Sequence, residues 1–469
     1  MLKPFADAYS IDQVIEPALR APSVYNTQPW SFRIVADDRI ELRAKGSDDD
    51  DSPGRGRWDL LLHSPAPGPW PREYAISCGA ALMNLRLAVR VLGHDPVISL
   101  LPDRVDDPGL LASVEIVVGR THQPGLLEQE LYDAIWQRHT DRWPFSDTPV
   151  RPGILVEMER AAAREHGWLR VLHGPFARRW LRVATGADAA IAAARDGAGQ
   201  AGADPATYEA LLSQFRDELT QWTGDSDSGQ GIPQAALGPR PAAVRPPVRD
   251  FTLGGTEPSG SDSGVSEWNG VRWATGTHNA HPADLPEERF ERYPQLMMLF
   301  TDRDEPADWL RAGQALQRAL LMATSLGVSA SFLTQPLELA DLAFRSDPRA
   351  SRLHDPPFRE GHRGLPLRPR GADAMRTSSS AVDRRGYVRR RLLGATPWLE
   401  VPQMVIRVGY PQNRPGKPDI STPRQEPDIT DARSGSPVRL ARPTSGPPVP
   451  GGPPVPGGPP ARGGGRIPA

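Results

Sequence analysis

The sequence contains a single cysteine, Cys78, and only three lysines, at positions 3, 45 and 417. One cysteine cannot form an internal disulfide, and it cannot supply the thiolates of a cysteine-based zinc or iron–sulfur site. Because arginine accounts for almost every cation, an anion bound by side-chain cations in the middle of the chain must be bound by arginine. The same bias makes a run of arginines a weaker sign of function than usual.

Long apolar runs and an excess of one charge are also missing. No stretch approaches the roughly 18 consecutive apolar residues of a membrane helix, and the first residues, MLKPFADAYS, lack the charged and apolar regions of a signal peptide. The formal net charge of -2 creates no field that would draw the whole chain to nucleic acid or to an anionic membrane. We therefore expect a cytoplasmic protein that acts on neither.

Helical and strand patterns alternate along the 469 residues. Apolar residues at helical spacing predict helices at 11–19 (after a capping box at Ser10), 77–93, from about 127 through 145, 152–166, and 308–327. Alternating or β-branched runs predict a hairpin at 31–44 and strands at 96–102, 112–119, 168–174, 296–302 and 402–411. The chain therefore combines helical and strand patterns along its length.

Four segments interrupt that pattern. Residues 44–70 carry no predicted helix or strand, and residues 346–393 are rich in arginine and do not look folded. Residues 200–290 are polar and could form a lid or a loose insertion. The tail contains the repeat "GPPVPG", which is typical of a disordered polyproline-type extension. We predict three parts: 1–126, 127–427 and a disordered tail at 428–469.

Amides, hydroxyls and arginines concentrate in three segments: "RAPSVYNTQPW" at 20–30, "QRHTDRWPF" at 137–145, and the run after "VIRVGYP" that ends at Arg424. Together they resemble the FMN-binding nitroreductase family, and in particular its Acg-like branch, in which two nitroreductase halves are fused. "APSVYNTQPWSF" looks like the family's turn, and "RHTDRWPF" is similar to its flavin-phosphate motif. The long helix ending at Gly327 and the strand before Arg424 also match. The resemblance spans 10–426, apart from the insertions at 44–70 and 346–393.

The resemblance implies a nitroreductase-like α+β fold with two fused halves, a monomer that mimics a dimer, and one FMN per chain. It implies hydride transfer from NADH or NADPH, through the flavin, to a small nitroaromatic or quinone-type acceptor, with neither a catalytic side chain nor a metal. The implied FMN-binding residues are Ser23, Asn26, Gln28, Arg138, His139, Thr140, Arg142, Gly327 and Arg424. His139 stands where the family usually has arginine, so it either hydrogen-bonds the ring edge or only packs.

These assignments suit the chemistry of FMN. Its phosphate prefers bidentate arginines and hydroxyl donors, which Arg138, Thr140, Arg142 and Arg424 can supply. The ribityl chain and ring edge prefer short hydroxyl and amide side chains on a fixed turn. A glycine such as Gly327 permits a close approach of the backbone to the ring.

Other readings compete with these assignments. The turn at 23–28 could end a helix and have no binding role, and the arginines could be solvated surface residues. Residues 346–393 could bind nucleic acid, although they lack interleaved aromatics. The protein could also sequester FMN under a lid without turnover, or bind partners without any flavin. Cys78 is predicted to be a core thiol, and the carboxylates at 48–51 a solvated loop.

Overall fold

The computed structural model describes residues 5, 8–45, 71–173, 231–233, 236, 263–268, 271–276, 295–333, 337, 400–412 and 424–440. The carboxylate run at 48–51, the insertion at 346–393, the tail beyond 440 and most of 200–290 lie outside these residues. The described helices are α1 (Ala8–Leu19), α2 (Pro71–Val91), α3 (Leu126–Gln137), α4 (Pro152–Ala163) and α5 (Pro306–Ser325). None of them is long and apolar enough to cross a membrane.

The described strands form two larger sheets and a separate hairpin. The strands are β1 (Trp30–Ala36), β2 (Arg39–Ala44), β3 (His94–Leu100), β4 (Leu110–Thr121), β5 (Trp168–Val171), β6 (Ser263–Trp268), β7 (Val271–Gly276), β8 (Gln295–Thr301), β9 (Ser329–Phe332), β10 (Val401–Gly409), β11 (Ile429–Asp431) and β12 (Ser436–Pro437). The first sheet has the order β12-β11-β1-β2-β4-β3, the second β5-β8-β10-β9, and β6 pairs only with β7. The α+β prediction is confirmed.

Both larger sheets are mainly antiparallel, as the pairings of β2 with β4 and of β8 with β10 illustrate. The predicted hairpin at 31–44 is confirmed by the antiparallel pairing of β1 with β2. Trp30 and Phe32 on β1 are buried in the core. The hairpin therefore places the residue that follows "NTQP" inside the protein, which fixes one end of the preceding loop.

Several boundary predictions are wrong. The helix predicted at 77–93 begins at Pro71, and the helix predicted at 152–166 ends at Ala163. The third helix ends at Gln137 rather than at 145, because Arg138 is extended (φ −66°, ψ 125°) and the next residues pair with a distant strand. The first helix begins at Ala8, so Ser10 is not its N-cap. The tail does not begin at 428, because β11 pairs in parallel with β1 and places Ile429 opposite Phe32.

Helices α2 and α5 cross each other with their backbones in contact. A methyl group on Gly79 would collide with the backbone of Leu310, and one on Gly313 would collide with the backbone of Ile76. Glycine is required at both positions because the two helix backbones touch. Near the crossing, Gln317 donates a buried hydrogen bond of 2.8 Å to Asn84. This crossing joins the part of the chain that carries the first sheet to the part that carries the second.

Several features of the first part recur in the second. α1 and α4 both have 12 residues. The spacing from Gly79 to Gly93 equals the spacing from Gly313 to Gly327, and both terminal glycines have positive φ (90° and 74°). Each terminal glycine ends a long helix and leads into a strand, β3 or β9. The connection between helix and strand differs in length. The segment between α1 and β1 runs over residues 20–29, whereas the segment between α4 and β5 runs only over residues 164–167.

Candidate functional site

The segment 20–29, here called the opening loop, is held in an unusual backbone conformation. Its Val24–Asn26 stretch forms one turn of 3₁₀ helix, and Tyr25, Asn26 and Gln28 have φ values of 43°, 57° and 49°. Non-glycine residues enter this left-handed region at a cost of about 1–2 kcal/mol each. The rest of the structure must therefore hold the loop in place.

Side chains of the loop supply part of that restraint. The Ser23 hydroxyl accepts a 3.0 Å hydrogen bond from the Gln28 backbone N–H, and the Gln28 side chain donates to the Asn26 carbonyl at 3.1 Å. From α2, the Ser77 hydroxyl accepts the Val24 N–H at 3.1 Å. Asn26 and Gln28 are almost completely buried. The polar residues of the sequence motif thus brace one another and the neighbouring helix.

Two arginines from distant segments converge on the start of this loop. Arg138, just beyond α3, donates from Nη2 to the Arg20 carbonyl at 3.1 Å, and Arg424 donates to the same carbonyl at 3.1 Å. Arg424 also donates to the Ala21 carbonyl at 3.1 Å and to Asn26 Oδ1 at 3.5 Å. Backbone carbonyls just past the C-terminal end of α1, which carry partial negative charge, therefore hold both guanidinium groups.

Arg138, Arg142 and Arg424 form what we call the open arginine cluster, since none of the three has a carboxylate within ion-pair distance in the described part of the chain. Burial lowers the pKa of Arg138, and repulsion from Arg424 and Arg142 lowers it further. Burial also lowers the pKa of Arg142, which Asp141 partly offsets. A group of three neighbouring cations that only Asp141 partly offsets favours binding of an anion.

Arg424 shows what kind of surface the cluster forms. Its pKa is lowered by burial and then by the neighbouring charge of Arg20, yet its side chain keeps an exposed surface. The guanidinium group thus lies among protein atoms while the residue still reaches the surface. The surface that the open arginine cluster shares with the opening loop is here called the wall of the site.

The segment that carries Arg138 and Arg142 is fixed to the second sheet. Thr140 forms a parallel bridge with Ala330 in β9, and the Asp141 N–H donates to the Ala330 carbonyl at 3.0 Å. Arg407 of β10 is fully buried and donates to the Trp143 carbonyl at 3.1 Å. This backbone pairing is the physical reason why the helix predicted through 145 ends early.

Most, but not all, of the predicted binding residues are joined by these contacts. Hydrogen bonds connect Ser23, Asn26, Gln28, Arg138 and Arg424, and Arg142 is coupled to Arg138 through its charge. Thr140 lies between Arg138 and Arg142 in the chain. His139 is exposed, with Nδ1 3.3 Å from the Gln137 carbonyl, and Gly327 ends α5 at an open position. The described contacts do not join these last two residues to the group.

Two residues that the sequence patterns did not single out complete the wall. Gln425 donates its backbone N–H to Gln28 Oε1 at 3.0 Å, and its own side-chain oxygen accepts a 2.7 Å hydrogen bond from Lys45 Nζ. They lie 380 residues apart, so no local pattern could have paired them. Lysine is rare in this chain, and this rarity is the one feature of the sequence that could have drawn attention to Lys45.

A second group of arginines lies beyond α4, in the position that corresponds to the opening loop. Glu165 receives hydrogen bonds from Arg86 (2.7 Å) and Arg318 (3.1 Å), and Arg86 also contacts Gln314. We call Arg86, Glu165 and Arg318 the closed arginine cluster. A methyl group on Gly167 would collide with Ala315 of α5, so the short connection leaves no room beside it.

Cys78 is a buried core thiol, as predicted. It lies on α2 with no exposed surface, and Sγ is 3.5 Å from the Pro29 carbonyl. Burial raises the pKa of this thiol far above its usual range. A thiol that stays protonated is a poor nucleophile, so Cys78 contributes packing beneath the opening loop.

Comparison with known proteins adds an independent observation. No family model matches the chain. A protein of Mycobacterium tuberculosis (strain ATCC 25618 / H37Rv), provisionally named NAD(P)H nitroreductase Rv3131, is 30% identical over 338 residues, covering 72% of this chain and 79% of the relative. A second protein of that strain, provisionally named NAD(P)H nitroreductase acg, is 27% identical over 333 residues, or 70% and 81% of the two chains. Identity of this extent, together with the α+β fold, shows that the chain belongs to the nitroreductase family.

Proposed function

We propose that this protein is an FMN-dependent oxidoreductase that uses NADH or NADPH to reduce a nitroaromatic, a quinone or a related small acceptor. The relatives' names supply the reaction class. The observation that carries the cofactor is the open arginine cluster, in which guanidinium groups from two distant segments meet on the carbonyls of Arg20 and Ala21, with no ion-pairing carboxylate among the residues that the structure describes. A phosphate dianion is the natural counterpart of such a group.

The described residues fit the other parts of FMN as well. The Ser23 hydroxyl accepts a backbone N–H, so its own proton remains available for a hydroxyl or carbonyl oxygen of the ligand. Gln28 is engaged by Asn26 on one side and by Gln425 on the other, so we assign it the task of supporting the loop from behind. Asn26, which Arg424 reaches, links the phosphate end of the site to the loop.

The protein's part in the reaction is binding and orientation. FMN, when bound, supplies the hydride transfer between nicotinamide and acceptor. Around it, the open arginine cluster anchors the phosphate and the opening loop fixes the orientation of the cofactor. The positive φ angles of Tyr25 and Asn26 suit this task, because strained backbone held by its surroundings is typical of pre-organised sites.

We further propose that the chain consists of two fused nitroreductase halves with one cofactor site, and that it works as a monomer. The matched helix lengths and the matched glycine spacing support the duplication. The single site is supported by the contrast between the two connections. The connection at 164–167 is short, packs on α5 and contains Glu165, which pairs with both Arg86 and Arg318 and offsets one of their two charges.

Flavin titration of the purified protein tests this proposal. Wild type is expected to bind about one FMN per chain, and Arg138→Ala to weaken FMN binding at least tenfold, since a charge-assisted hydrogen bond is worth roughly 1.5–3 kcal/mol. Asn26→Ala is expected to weaken it by a smaller factor. Arg160→Ala is the control, because Arg160 is exposed and pairs with Glu157 on the surface.

The same samples separate turnover from storage of the cofactor. If the protein is an enzyme, NADH or NADPH should bleach the yellow flavin band without oxygen, and a quinone should restore the colour. A yellow protein that neither nucleotide bleaches would point instead to FMN sequestration. A protein that cannot be loaded with FMN at all would refute the proposed function.

A further inference from the structure

The ends of α1 and α3 hold each other in a reciprocal way that the sequence motifs do not reveal. The guanidinium carbon of Arg20, just after α1, lies 4.1 Å from the centroid of the Trp136 ring in the last turn of α3. Two residues after Trp136, Arg138 extends back and donates to the Arg20 carbonyl at 3.1 Å. The side chain of Arg20 thus packs on α3, and Arg138, which follows α3, binds the backbone of Arg20.

The side chain of Arg20 is already occupied by this arrangement. Besides the ring beneath it, Nη2 pairs with Glu16 Oε1 at 3.1 Å. The Nε atom of Arg20 and the Nε1 atom of Trp136 are both buried without a hydrogen-bond partner. The contact between the two side chains is therefore a cation–π contact, with the guanidinium carbon over the indole ring.

The carbonyl that this contact holds in place has a special position. The Arg20 oxygen is the acceptor that Arg138 and Arg424 share, so a displacement of this atom moves both guanidinium groups at once. Bidentate recognition of a phosphate requires both groups at set positions and angles. Contacts to the rest of a flavin would not depend on this atom.

We propose that Arg20 and Trp136 form a positioning pair that sets the open arginine cluster for a terminal phosphate, and thereby makes the site select FMN over riboflavin, which is the same flavin without the phosphate. This proposal rests on the proposed function. Arg20 acts through its backbone and Trp136 acts through Arg20, so neither needs to contact the ligand.

Binding of both flavins to two variants tests the pair. Trp136→Leu removes the ring, and Arg20→Lys keeps the charge but loses the planar group. Each is expected to weaken FMN binding about tenfold while riboflavin binding changes less than about twofold. Arg170→Lys is the matched control, because Arg170 lies 5.8 Å from the Phe300 ring and pairs with Glu400, away from the cluster. An unchanged ratio of the FMN and riboflavin affinities in both variants would overturn the proposal.

A double-mutant cycle with Arg138→Ala adds a readout that general damage to the fold would not produce. If Trp136 acts through Arg20 to position Arg138, then Trp136→Leu should reduce FMN affinity much less in the Arg138→Ala background than in wild type. Fully additive losses would refute the positioning role. If Trp136→Leu does not fold, Arg20→Lys decides in the same cycle. Wild type that binds neither flavin refutes the proposed function and this proposal with it, whereas wild type that binds FMN leaves the two separable.

Discussion

Arginines gather near the C-terminal ends of both α1 and α4, but among the described residues only the second group has a carboxylate within ion-pair distance. In the closed arginine cluster, Glu165 is 8% exposed and lies between Arg86 and Arg318. In the open arginine cluster, the corresponding position two residues after the helix is Ala21, which offers only its backbone carbonyl to Arg424. The same type of cation is therefore used for two purposes.

The difference shows what separates a structural arginine from one available to a ligand. A carboxylate both orients a guanidinium group and neutralises it. A carbonyl orients it and leaves the net charge almost intact, so neighbouring cations repel one another. The pKa of Arg138 is lowered first by burial and then by this repulsion from Arg424 and Arg142. That repulsion is relieved when an anion binds, and it therefore favours binding.

The largest expected effect comes from giving the open cluster the carboxylate it lacks. Ala21→Glu should place a negative charge beside Arg424 and weaken FMN binding about a hundredfold relative to Ala21→Gln, because the phosphate then competes with an internal anion. The glutamine variant is the control, since Ala21 is fully buried and both side chains crowd it equally. Equal affinities for FMN in the two variants would show that the comparison between the clusters has no functional meaning.

The reverse change should act on stability. Glu165→Gln leaves Arg86 and Arg318 without their shared anion, and we expect the free energy of unfolding to fall by roughly 2 kcal/mol, less than for a fully buried pair because Arg86 is partly exposed. Denaturation by urea measures the change. Glu157→Gln removes an exposed surface pair and should change stability by less than about 0.5 kcal/mol. If both variants lose the same amount, the closed cluster is not structural.

The parts of this site that depend on local patterns could be predicted from the sequence. The end of α1 before "RAPSVYNTQPW", the hairpin that follows, and the end of α5 at Gly327 each follow from a pattern within about ten residues. Resemblance to a family added the pairing of this turn with Arg138 and Arg424. The contacts in the structure join those segments, while the contacts of the nine residues with FMN remain a prediction.

The parts that depend on distant partners could not be predicted. The apolar spacing of Leu131 and Ile135 favours a longer helix, but pairing of Thr140 with Ala330 overrides that preference. β11 is only three residues long and forms because β1 offers a free edge. As a lone cation in a β-branched strand, Arg407 is only a weak indication of a special role. The structure shows that it binds the carbonyl of Trp143 and so holds the segment that carries Arg142.

The smallest expected effect concerns the backbones of the two connections. His166 is exposed and has φ 59°, so His166→Gly should relieve left-handed strain and raise the free energy of unfolding by about 0.5 kcal/mol, after the greater chain entropy of glycine is taken into account. Tyr25→Gly, at φ 43°, should relieve a similar strain.

The two variants should differ in their effect on the cofactor. A glycine at position 25 gives the opening loop more freedom before the ligand arrives, so FMN binding should weaken severalfold, whereas the His166 variant should bind FMN like wild type. Thermal denaturation and flavin titration of both proteins measure the two quantities. Should Tyr25→Gly bind FMN as tightly as wild type, the strained loop would not be pre-organised for the ligand, and the open arginine cluster alone would account for recognition.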